Sequence, residues 1–157
     1  MAIALAAAAG CTHKPTPTTP PQVTVYFCRA GTDALVPMPF SADRDLAGPQ
    51  LENALVGQLL AGPAAQTNAI VLFPAGTAAA VDVQGDLATV NFTGTLSKSY
   101  RGGESDEVAL FKSLTYTITS VEGVKRVQVL IGGRKVPTLT GGSFEIDEPL
   151  SRETFQQ

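Results

Sequence analysis

Tryptophan is absent from this 157-residue chain, histidine occurs once, cysteine twice, and aromatic residues make up only 6%. Each scarcity removes a class of chemistry. A nucleophilic triad needs an imidazole beside its nucleophile, and His13 lies in a Pro/Thr-rich spacer from which it cannot serve as the base. One His and two Cys leave only carboxylates as metal ligands. The candidates are Asp43 and Asp45 around Arg44, and Glu104, Asp106 and Glu107. Their ordinary reading is solvated loop and helix-cap charge. Sugar stacking uses exposed aromatic faces, and Tyr26, Tyr100 and Tyr116 form no evident platform in the sequence. Basic clusters are equally sparse: with a net charge of -3 and only Lys125-Arg126 and Arg134-Lys135 as cation pairs, a nucleic-acid surface is excluded. The Gly-Gly pairs at 102–103, 132–133 and 141–142 lack the Lys-Ser/Thr of a phosphate loop and read as turns, so no cofactor is implied.

Long apolar runs are missing too, since nothing after the N-terminus approaches the ~18 residues of a membrane-spanning helix. The N-terminus itself is apolar. Residues 1–10 (MAIALAAAAG) place Ala7-Ala8-Ala9-Gly10 directly before Cys11, the small-residue pattern of a lipoprotein signal peptide cleaved ahead of the thiol. The segment has no Lys or Arg and is short, which points to a truncated leader with its start further upstream. Two acyl chains on Cys11, at ~0.8 kcal/mol per buried CH2, would anchor the protein stably to a membrane. Cys28 then has no partner within the chain and reads as a small buried hydrophobe of a strand, with a Cys11–Cys28 disulfide as the competing arrangement. Residues 12–22 (THKPTPTTPPQ) favour extended polyproline II and read as a semi-rigid linker.

The remainder is of single-domain length. Val23, Val25 and Phe27 alternate on a strand over 23–29, and Leu35–Phe40 returns as an edge strand because Pro37 and Pro39 cannot donate to a central ladder. Leu51, Leu55 and Leu59, widened by Val56 and Leu60, make an amphipathic helix over 49–61, stopped by Gly62-Pro63. Residues 77–84 and 87–93 form a hairpin turning at Gly85-Asp86. A second helix is expected over 105–121, with Val108, Phe111, Leu114, Ile118 and Val121 as its stripe and Asp106 and Glu107 in its favourable first turn. Thr115 and Thr117 are read as bonding within that helix. Val127, Val129 and Ile131 follow as a strand, with further strands expected over 134–139 and 144–146. The order predicts an α+β fold, two helices packed on one face of a mixed β-sheet.

Val23–Phe27, Leu59-Leu60-Ala61-Gly62-Pro63, Phe73–Thr77, Ala88–Phe92, Leu114–Thr119, Gly123–Val129 and Pro149–Arg152 occur in an order and spacing that resemble the GerMN domain, the sporulation and spore-germination module of bacterial envelope lipoproteins. The resemblance implies a domain over 23–152, with 153–157 as a tail. It implies a helix-strand-strand-helix-strand core like the ring-building motif of secretion systems, here preceded by an N-terminal hairpin. It also implies a role in assembly and carries over no catalytic residue. The function expected is therefore a non-catalytic, extracytoplasmic, lipid-anchored protein that binds other envelope proteins or its own copies. A peptidoglycan- or glycan-binding lipoprotein is the alternative, and a cell-wall hydrolase using dispersed carboxylates a third.

Overall fold

The computed structural model describes residues 22–42, 46–64 and 67–156. Strands β1 (Gln22–Arg29) and β2 (Leu35–Ser41) form a hairpin, followed by helix α1 (Pro49–Ala61) and the short β3 (Ala69–Ile70). Then come β4 (Thr77–Gln84), β5 (Leu87–Gly94), helix α2 (Glu104–Ile118), β6 (Arg126–Ile131) and a 3-10 turn at Glu153–Phe155. The α+β class and the helix-strand-strand-helix-strand order of α1, β4, β5, α2 and β6 agree with the sequence reading. The strands, however, divide into two sheets rather than one, β2-β1-β3 and β4-β5-β6. Tail strands over 134–139 and 144–146 do not form; only isolated bridges pair Ile131 with Arg134 and Val127 with Leu150.

The division follows from where β1 finds partners. Pro37 and Pro39 stand opposite Tyr26 and Thr24. The N–H groups of those two residues point away from β2, donating to α2 and the turn that follows it: Tyr26 N to Thr117 Oγ1 at 2.9 Å and Thr24 N to Ser120 Oγ at 3.1 Å. An antiparallel ladder alternates bonded and non-bonded pairs, so both prolines occupy non-bonded positions where the missing N–H costs nothing. Side-chain hydroxyls of a helix and its following turn thus take the place of a neighbouring strand along most of β1. Only Cys28 and Arg29 pair with β3. Thr117 therefore bonds outside its helix, contrary to the sequence reading, while Thr115 Oγ1 is buried without a partner among the described residues.

The core lies between the two sheets and the helix pair. Val23, Val25 and Phe27 from β1 meet Leu51, Leu55, Val56 and Leu59 from α1 and Leu110, Phe111, Leu114 and Ile118 from α2, all buried. Val81, Ala88, Val90, Phe92, Val127 and Val129 supply the inward face of the second sheet. At ~1.5–3 kcal/mol per fully buried Leu, Val or Phe, this face and the helix stripes dominate the favourable side of folding. Helix α2 is shorter than expected at its C-terminus, where Thr119 caps it and Val121 falls in the following turn. Its buried surface is also broader than one stripe: Glu107, Ser113, Thr115 and Thr117 are enclosed with the apolar residues, because β1 packs on one side and the C-terminal segment on another. Gly62 takes φ 98° to leave α1, and a Cβ there would lie 2.5 Å from Val71 Cγ2, so the backbone and the packing both demand glycine.

Candidate functional site

A cleft of about 520 Å3 opens where α2 ends, the β4–β5 turn passes and β6 begins. Asp86 comes from the hairpin turn, Lys125 and Arg126 from the entry to β6, Thr119 from the end of α2, and Ser151, Arg152 and Glu153 from the C-terminal segment, with Val124 as the apolar patch. Backbone bonds tie the first two elements, Lys125 N and Arg126 N both donating to Asp86 O at 2.8 and 3.1 Å. Arg126 Nη2 bonds Asp86 Oδ1 at 2.7 Å, which holds the Asp86 carboxyl below the usual carboxylate range. Both side chains are about half exposed, so this pair orders the rim more than it stabilises the fold.

Arg152 is the most constrained of the cations. Its Nε donates to Thr119 Oγ1 at 2.8 Å, and Nη2 reaches Thr119 O at 3.2 Å and Tyr116 O at 3.3 Å, covering carbonyls that the end of α2 leaves unpaired. The guanidinium carbon lies 4.9 Å from the Tyr116 ring centroid and 5.9 Å from that of Tyr26, and the two rings meet edge to face at 5.7 Å. Two of the three tyrosines that formed no platform in the sequence are thus gathered beside the cleft around one arginine. Tyr100, by contrast, is buried, and burial pushes its hydroxyl up to about 12.

The other residues considered from the sequence are dispersed. Cys11, His13 and the 1–10 and 12–21 segments lie outside the described residues, as do Asp43, Arg44 and Asp45. Cys28 is a buried thiol, its Sγ 3.2 Å from Ala109 O, and desolvation pushes its pKa up to about 11. Glu104 and Asp106 are exposed, but Glu107 is not a solvated cap charge: it is 1% exposed, and its Oε2 accepts from Ser143 N at 2.7 Å and Phe144 N at 3.1 Å. Gly142 leaves room for it, since a Cβ there would overlap the carboxylate. Among the described residues no three His, Cys, Asp or Glu side chains converge to hold a metal, and no helix is long and apolar enough to cross a membrane.

Sequence reasoning missed the cleft because its residues are scattered over 86–153. The signals present, Lys125-Arg126 and Pro149–Arg152, read singly as a solvated strand end and a family landmark.

The model of the family described as "Sporulation and spore germination" matches residues 24–137. No curated protein matches the chain. Among solved structures, the first GerMN domain of the sporulation protein GerM from Bacillus subtilis superposes with a TM-score of 0.67 at 20% identity, covering 84% of this chain and 98% of that one. A protein provisionally described as a lipoprotein from Clostridium perfringens superposes at 0.61 with 20% identity over 84% and 87%. The tandem GerMN domains of GerM give 0.60 at 17% identity over 83% of this chain and 45% of theirs. At these identities the structural likeness establishes the fold. Taken with the family match over most of the ordered elements, it leads to one assignment: the chain belongs to the sporulation and spore germination family, that of the GerMN domain.

Proposed function

We propose that this protein is a non-catalytic, lipid-anchored component of the bacterial envelope whose GerMN domain is an assembly module for other envelope proteins or for further copies of itself. The observation that carries this reading is the use made of the polar side chains inside the domain. Glu107, Thr117, Ser120 and Gln128 all bond to backbone groups of distant segments, so they are committed to holding the fold. No nucleophile stands beside a base among them. The Ala-Gly-Cys sequence at residues 9–11 supports the lipid anchor, as does the provisional description of the Clostridium perfringens neighbour.

Partner contacts of such a module would use side-chain surfaces. The free side of β2 lacks donors at Pro37 and Pro39, Asn53 bonds both N–H and C=O of Val81 on β4 at 2.9 Å, and Leu150 pairs with Val127 on β6. These features blunt the β2, β4 and β6 edges at those positions against strand addition. Crosslinking in intact membranes and light scattering on the protein test the assembly role; a strict monomer with no crosslinked neighbour overturns it. Metabolic fatty-acid labelling should mark the wild type and not Cys11→Ala, and an unlabelled wild type overturns the anchor.

A further inference from the structure

We propose that the cleft at the C-terminal end of α2 binds a short zwitterionic peptide, one carrying a free carboxylate and a free ammonium, of the kind found in peptidoglycan stems. The choice of peptide rests on the envelope placement above; the chemistry of the site does not.

The cleft carries charges of both signs, and their existing partners differ. Asp86 is paired with Arg126. Lys125 has no ion pair among the described residues. The hydrogen bonds of Arg152 go only to uncharged acceptors, a hydroxyl and two carbonyls, and two tyrosine rings flank it, so its position is set in advance and, although the neighbouring Glu153 feels its charge, no carboxylate is bonded to it among the described residues. A ligand carboxylate directed at Lys125 and Arg152 gains charge-assisted bonds without first breaking an ion pair.

The opposite sign is offered by Glu153, exposed at the rim. A polyanion would meet Asp86 and Glu153 as repulsion. A neutral saccharide would leave both charges unanswered. Only a ligand with both signs satisfies both parts of the lining, and the cleft volume of about 520 Å3 falls within the ~300–1,000 Å3 of small-ligand sites.

The test is an NMR titration of the 15N-labelled full chain with the tripeptide L-Ala–γ-D-Glu–meso-diaminopimelate. The same peptide acetylated on both amino groups and chitotetraose, a neutral oligosaccharide, serve as comparison probes. Saturable shifts are expected at the amides of Thr119, Lys125, Arg126 and Ser151–Glu153. Lys125→Ala and Glu153→Gln, both exposed changes that leave the core untouched, should each weaken binding roughly tenfold, Lys125→Arg should restore it, and acetylation should weaken it similarly. The proposal is overturned if these amides do not move by about 10 mM peptide, if both substitutions leave affinity unchanged, or if chitotetraose binds as well as the peptide. None of these results bears on acylation at Cys11 or on crosslinked neighbours, so failure here is separable from failure of the assembly reading.

Discussion

Glu107 shows how far a single side chain can depart from its local reading. A carboxylate in the first turn of a helix is explained by the helix dipole alone, and nothing near residue 107 announces that Ser143 and Phe144 will return to it. Replacing it with Ala strips the part-buried N–H groups of Ser143 and Phe144 of their acceptor, and the unfolding free energy in urea should fall by about 1–3 kcal/mol. Glu107→Gln keeps a carbonyl acceptor and should lose less. Cys28 makes a pH-dependent prediction. Its thiol is held protonated to about 11 in the folded state, whereas an unfolded thiol ionises near 8.5, so the unfolded state releases its proton first. Stability contributed by the protonated thiol is therefore present below about pH 8.5 and lost on rising toward 11. Urea titrations at about pH 7 and about pH 10 should show wild type losing more stability than Cys28→Ala over that interval.

At the scale of elements, those whose burial period was unbroken were the legible ones. Helix α1 ends where Gly62-Pro63 stops it, and β4 and β5 turn at Gly85-Asp86, because propensity, pattern and turn residues agree locally. The second sheet boundary was illegible because it depends on hydroxyls of Thr117 in α2 and Ser120 just after it bonding β1 across more than ninety residues of sequence. A threonine or serine carries no local mark of a partner so distant. Thr117→Val with Ser120→Ala leaves the Tyr26 and Thr24 N–H groups unpaired and should cost ~1–3 kcal/mol for each group that stays buried, whereas Thr117→Ser should retain most of the stability. The edge of β2 supplies a complementary test. Pro37→Thr with Pro39→Thr restores two outward donors, and static light scattering should then report stronger concentration-dependent association than the wild type shows.

For the molecule as a whole, the region matched by the family model stops at residue 137, but the packing does not. Leu139, Ile146 and Leu150 are buried, Phe144 stacks between Phe111 and Phe155 at 5.7 Å from each, and the Gln128 amide bonds Ile146 O and Asp147 O at 3.3 Å. A chain ending at Pro137 should lose cooperative thermal unfolding by circular dichroism, since it uncovers one side of α2 and the outer side of β6. The expected tail strands were absent here for the same reason: these residues are fixed by side-chain anchors and single bridges, which leave no alternating signature.

The opening strand runs antiparallel to α2, with Thr24 beside Ser120 at the helix's far end and Asp33, beyond the first turn, reaching Lys112 nearer its start. The start of β1 consequently lies at the pole that carries the Lys125–Arg152 cleft. The loop at Gly31–Asp33 and the beginning of α2 form the opposite pole, so a neighbour seated there and a ligand in the cleft would meet opposite ends of the same molecule.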